Sequence, residues 1–115
     1  AILIRRIPDA VPLPEVENLA DEALWRKVGR TIRQFHDAGL DHVDLNCDNI
    51  LVAGDDVYLI DLDRCRLRQG ASDTRWQRTN LQRLWRSVVK RMSNVTEIHR
   101  HNLWKNLADG YHSHP

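Results

Sequence analysis

The sequence predicts an α+β domain, mostly helical, organised around one short β-hairpin. Three observations carry that prediction. Leu24, Val28, Ile32 and Phe35 recur at spacings of four, four and three, the apolar stripe of a helix. Leu81, Leu84, Trp85, Val88, Val89 and Met92 repeat the stripe over a longer stretch. Between them, "ILVAGDDVYLID" (50–61) places two apolar runs on either side of the turn signal "AGDD", the pattern of a hairpin.

The remaining elements follow in order. "AILIRRI" (1–7) is β-rich and stops at Pro8, so a short strand is expected. "VPLPEVENLA" (11–20) predicts a turn and then a short helix from near Pro14, because proline fits a helix start. Asp21 is placed to cap the next helix and Gly39 to end it. Beyond the hairpin, "RCRLRQGASD" (64–73) predicts a loop with three arginines. The long helix after it carries Arg83, Arg86, Lys90 and Arg91 opposite its apolar stripe. Ile98, Leu103, Leu107 and Tyr111 predict a last helix that ends at Gly110, with a frayed "YHSHP" tail.

At 115 residues, with 42% apolar and 29% charged residues, the chain suits one compact domain. It has no apolar run of about 18 residues to span a bilayer. Two cysteines, Cys47 and Cys65, are too few for a disulfide framework, so a reducing, cytoplasmic setting is expected. The charge is divided. Up to Asp61 there are twelve acids against six Lys/Arg, and after it four acids against eleven Lys/Arg. Such a chain offers cation sites on one side and anion sites on the other.

The acidic half holds the chemistry. "HVDLNCDNI" (42–50) leads into the hairpin and "DLD" (61–63) leads out of it. Paired strands bring entry and exit together, so Asp44, Asn49, Asp61 and Asp63 are expected at one end. Oxygen donors without cysteines or several histidines suit Mg²⁺ rather than zinc. Mg²⁺ takes one or two protein carboxylates and leaves the rest to water and phosphate. A further carboxylate is then free to accept a hydroxyl proton, the arrangement of phosphoryl transfer.

Plainer readings compete. Asp and Asn are common turn formers. "VYLIDLD" by itself matches a phosphatase strand ending in D-x-D, but Arg64 and Cys65 follow where a small or hydroxyl residue is wanted, and no βα alternation comes after. His36 reads as a packing residue with one satisfied hydrogen bond, Cys47 as a small buried filler, and Trp76, Trp85 and Trp104 as core. His99, His101, His112 and His114 lie in polar surroundings and read as surface. The basic helix has no nucleic-acid motif beside it, so no nucleic-acid partner is expected, whereas anionic lipid headgroups would suit it.

"HVDLNCDN" resembles the protein-kinase catalytic loop H-R-D-L-x-x-x-N in its His, Asp, Leu and Asn, and "LIDLD" resembles the strand that ends in the magnesium-binding D-F-G. Val43 replaces the Arg, and Asp63 the Gly. That departure is nearer the small-molecule kinases of the same fold, the aminoglycoside and choline type. A closer similarity covers nearly the whole chain. "FHDAGLDHVDLNCDNILV", "VYLIDLDRCRLR", "NLQRLWRSVVK" and "LWKNLADGYHSH" resemble the lipopolysaccharide kinases, and among them the kinases of 3-deoxy-D-manno-octulosonic acid (Kdo). Asn46, in place of a kinase lysine, and the arginine run are part of that likeness.

The resemblance implies the C-terminal lobe of a protein-kinase-like fold, with the hairpin at the active site and residues 1–8 as the hinge strand. It implies ATP- and Mg²⁺-dependent phosphorylation of a Kdo hydroxyl on Kdo-lipid A, at the cytoplasmic face of a Gram-negative inner membrane. Asp44 would be the base and His42 a scaffold residue bonded to the backbone around Asp61. Asn49 and Asp61 would hold Mg²⁺ against ATP, with help from Asp63. Arg64, Arg66 and Arg68 would lie near an anionic substrate, since the guanidinium fork suits carboxylate and phosphate. No Gly-rich loop or phosphate-binding strand lysine is found, so the N-terminal lobe is expected to lie outside this chain, which alone would be inactive and poorly soluble. A non-catalytic, kinase-like binding module is the alternative from another class.

Overall fold

A computed structural model describes residues 9–68 and 73–113. The strand predicted over 1–7, with its hinge role, lies outside the described residues, as do residues 69–72 of the arginine loop. Two small antiparallel sheets and three helices make an α+β architecture.

The first strand β1 (Val11–Pro12) pairs with β3 (Ile50–Ala53), which pairs in turn with β4 (Asp56–Leu59). The β3–β4 hairpin therefore stands as predicted, with Ile50 opposite Leu59. Two pieces differ from expectation. Residues 11–15 form β1 where a turn is expected, and the short helix expected near Pro14 is a single 3-10 turn, Leu13–Glu15. Pro12 and Pro14 each lack a donor, which an edge strand and the first turn of a helix tolerate and a helix interior does not. Within the arginine loop, β5 (Arg66–Leu67) pairs with β2 (Leu40–Asp41).

Helix α1 (Glu22–Asp37) begins where the Asp21 carboxylate accepts the Ala23 N–H at 3.0 Å. It ends before Gly39, whose φ of +80° is the left-handed turn expected there. Its stripe buries Leu24, Val28 and Ile32 as predicted, and Trp25 beside them is fully buried. Helix α2 (Arg75–Arg91) buries Leu84 and Val88 and leaves its arginines outside. Helix α3 (Glu97–His112) runs two residues past Gly110, and Tyr111 is buried rather than frayed. Ile98, expected on the inner face, is 86% exposed.

Gly110 serves close packing, not termination. A Cβ there would lie 2.0 Å from the Arg26 carbonyl oxygen, and one on Gly29 would lie 1.9 Å from that of Leu107. The two glycines let the α1 and α3 backbones touch. One core then joins α1, α2, α3, the hairpin and the loop residues Leu45 and Cys47. Each large apolar side chain buried this way contributes about 1.5–3 kcal/mol.

Candidate active site

The site forms where the loop 42–49 meets the end of β4. Leu45 and Cys47 are fully buried and anchor the loop from below. The polar residues between them organise its backbone. The Asp44 carbonyl accepts the side-chain amides of both Asn46 and Asn49, each at 3.0 Å. The Asn46 side-chain oxygen accepts the Asp48 N–H at 2.9 Å and so caps the 3-10 turn Cys47–Asn49. With its nitrogen held inside the loop, Asn49 has its side-chain oxygen left without a hydrogen-bond partner in the loop.

The hairpin exit is tied to the same loop. The Ile60 N–H donates to the Asn49 carbonyl at 2.9 Å, and His42 Nε2 donates to the Ile60 carbonyl at 2.9 Å. That contact puts the proton of neutral His42 on Nε2. Nδ1 is buried with no hydrogen-bond partner among the described residues. Directly after this clamped peptide, Asp61 sits at φ 65°, ψ 49°. A left-handed non-glycine residue is strained by about 1–3 kcal/mol and is held by what surrounds it, here the Asn49 and His42 bonds.

Asp44, Asn46, Asn49 and Asp61 line one pocket of about 320 Å³, together with Arg83 and Ser87 from α2. The predicted convergence of Asp44, Asn49 and Asp61 is thus what the structure places there. Asp63 lies one turn further on, exposed, outside the pocket wall. Among the described residues no three His, Cys, Asp or Glu side chains group around a common point. The Asp61 carboxylate and the Asn49 side chain are oxygen-bearing groups on this wall that could hold Mg²⁺, an ion that takes one or two protein carboxylates and leaves its other positions to water and phosphate.

The arginines separate. Arg64 Nη1 donates to Asp44 Oδ2 at 2.7 Å, with the Arg64 side chain 72% exposed. Arg66 lies on β5, exposed and paired in register with Asp41. Arg68 is not turned to the pocket: its Nε and Nη2 both hold Asp41 Oδ2, at 3.1 and 2.9 Å. It belongs to a network that composition and spacing do not reveal. Buried Asn80 donates to Asp41 Oδ1 at 2.8 Å and accepts at one oxygen from the His42 backbone N–H and from His36 Nε2, both at 3.1 Å. His36 Nδ1 meets the Tyr111 hydroxyl at 2.6 Å. Burial lowers the His36 pKa, against the opposing pull of the Asn80 bond. His36 is thus a packing residue, with two hydrogen bonds where one was expected.

Further along α2, the Ser87 hydroxyl accepts the Cys47 N–H at 2.9 Å, and Arg91 holds Asp48 through Nε and Nη2. Burial raises the Cys47 thiol pKa, so it stays protonated and serves as filler. Asn80 and Ser87 were the missed signal: two poor helix formers flanking Leu84 on an arginine-rich helix.

Comparison with known proteins gives this geometry its context. The pattern of the lipopolysaccharide kinase (Kdo/WaaP) family matches residues 9–111. The 3-deoxy-D-manno-octulosonic acid kinase of Xanthomonas campestris pv. campestris is 46% identical over 84% of the chain and 39% of its own length. The kinases of the same name from Actinobacillus succinogenes and Photobacterium profundum are 39% and 34% identical, over 90% and 96% of the chain. Those two matches span 43% and 47% of the relatives, so the chain covers less than half the length of the curated relatives it matches. With the family pattern running from Asp9 to Tyr111, across the loop, the hairpin and all three helices, this chain belongs to the lipopolysaccharide kinase (Kdo/WaaP) family.

Proposed function

We propose that the chain is the C-terminal lobe of a kinase-like enzyme that transfers the γ-phosphoryl group of ATP to a hydroxyl of Kdo on Kdo-lipid A. The observation that carries this reading is the single pocket that joins Asp44, Asn49 and Asp61 across 17 residues of sequence. The relatives are named as kinases of that sugar acid, which supports the acceptor.

In this reading the Asp44 carboxylate orients the acceptor hydroxyl and takes its proton. Asn49 and Asp61 hold Mg²⁺, which when bound neutralises charge on the ATP phosphates. His42 fixes the peptide before Asp61 and so aims that carboxylate. The exposed Arg64–Asp44 pair is weakly held, as surface ion pairs are. An anionic acceptor takes Arg64 for itself and frees the base. Arg68, through Asp41 and Asn80, supports the loop from behind. The remaining ATP-binding groups come from an N-terminal lobe outside this chain. On α2, Arg78, Arg86 and Lys90 are exposed with no acidic partner among the described residues. They support peripheral contact with the anionic cytoplasmic face of a Gram-negative inner membrane.

The test is phosphate transfer by the intact enzyme from Mg²⁺-ATP to Kdo-lipid A, with kanamycin and choline as rival acceptors, repeated with Asp44→Ala. The expected result is transfer to Kdo-lipid A alone, reduced by about 10²–10⁴-fold in the variant, the contribution of a positioned base. Transfer only to a rival acceptor overturns the substrate, and nucleotide binding without turnover overturns the enzyme.

A further inference from the structure

Helix α2 lies along the catalytic loop with one stripe of side chains, at positions 80, 83, 87 and 91, each three or four residues from the next. Three of these are consumed by the loop. Asn80 takes the His42 N–H, Ser87 takes the Cys47 N–H, and Arg91 takes Asp48. Those contacts pin both ends of the loop to the helix. Arg83 falls between them, level with the stretch 44–46, and lines the same pocket as Asp44, Asn49 and Asp61. It makes no hydrogen bond or ion pair among the described residues. Arg75 and Arg91 on the same helix do find acids, Asp73 and Asp48. Proximity to two carboxylates has not drawn Arg83 into a pair, since Asp44 is already matched by Arg64.

Among the described residues the pocket wall carries no other cation. Asn46 is neutral and spends its side-chain amide inside the loop. Phosphoryl transfer builds negative charge that a positioned cation must meet. We propose that Arg83 is the oxyanion-binding residue of this site and holds either the transferring phosphoryl group or the acceptor's carboxylate with its guanidinium fork. This rests on the reading of Asp44, Asn49 and Asp61 as the reaction centre.

The experiment uses the intact enzyme with Arg83→Ala, Arg83→Lys and, as a distant surface control, Lys105→Ala. Steady-state transfer to Kdo-lipid A is measured together with calorimetric titration of Mg²⁺-ATP and of free Kdo. If the fork holds the phosphoryl group, Arg83→Ala lowers kcat by about 10²-fold or more with both KM values nearly kept. If it holds the acceptor, the acceptor KM and the Kdo dissociation constant rise about tenfold or more while ATP binding is unchanged. In either case lysine restores part of the loss and Lys105→Ala changes nothing. Arg83→Ala with unaltered kinetics and unaltered titrations overturns the proposal, even where Asp44→Ala is inactive. An Asp44→Ala variant that keeps full activity overturns the reading of the centre instead. Arg83 is then judged by its own variants, and unaltered transfer kinetics together with unaltered Mg²⁺-ATP and Kdo binding removes it too.

Discussion

Helix α1 is held to α3 and the loop 42–49 is held to α2, but by different means. Along α1 and α3 the backbones touch at Gly29 and Gly110, and side-chain bonds such as Arg26 Nη1 to Asn106 Oδ1 at 2.6 Å only edge the seam. Between the loop and α2 the apolar anchors are few, and polar groups reach backbone atoms: Asn80 to His42, Ser87 to Cys47. The first interface tolerates no added atom. The second tolerates size changes but no missing hydrogen bond, because each lost partner strands a buried polar group. The scaffold is thus set by steric fit, and the loop 42–49 by hydrogen bonding, which is directional and positions Asp44 between two fixed points.

The steepest test of that contrast is Gly29→Ala. Its methyl group would meet the Leu107 carbonyl, a backbone atom that cannot rotate away. The helices must part, with an expected loss of about 3 kcal/mol, the upper range for overpacking. Denaturant unfolding of the intact protein measures it. A loss below about 1 kcal/mol would show that the seam yields.

Asn80→Ala probes the other interface. It leaves Asp41, His36 and the His42 N–H each short of a partner, so about 2–3 kcal/mol of stability goes. The sharper expectation is kinetic. At a temperature where the variant is folded, kcat falls while the KM for ATP is kept, because the loop start shifts and Asp44 moves with it. Unchanged kcat would mean that Ser87 and Leu45 alone hold the loop.

These two interfaces differed in how far the sequence disclosed them. The stripes of α1 and α2 were legible because burial imposes a period, and the hairpin because "AGDD" breaks two apolar runs. Asp44, Asn49 and Asp61 were legible as a group through their spacing around that hairpin. The two-residue strands β1, β2 and β5 were not, since two residues carry no period and their pairing is decided by distant chain. Gly110 reads as a stop signal in the sequence because close helix contact and helix termination both select glycine. Asp41, Asn80 and Arg68 were hidden for the same kind of reason. A buried polar network is defined by which elements meet, and 39 residues separate Asn80 from its acid.

The smallest expected effect is on pH dependence, and it isolates the network from the seam. Burial depresses the His36 pKa below its ordinary 6.5. The folded state therefore resists protonation while the unfolded state accepts it from about that pH downward. The unfolded chain binds more protons there, so stability rises with pH across this window. The His36 contribution is complete above pH 6.5 and is lost as pH falls toward the depressed value. The groups acting on the ring are Asn80 and Tyr111 by hydrogen bonds and Asp41, Asp37 and Arg33 by charge. Protonation would turn Nδ1 from acceptor to donor against the Tyr111 hydroxyl, which reorients at modest cost. The main cost is charge in a buried site. Unfolding free energy measured from pH 8 to 5 should fall below pH 6.5 in the wild type and less steeply in His36→Gln, which keeps an amide toward Asn80 without a titrating ring. Equal slopes would show that the network is indifferent to charge at His36. The loop would then be held by hydrogen-bond geometry alone, with no electrostatic share.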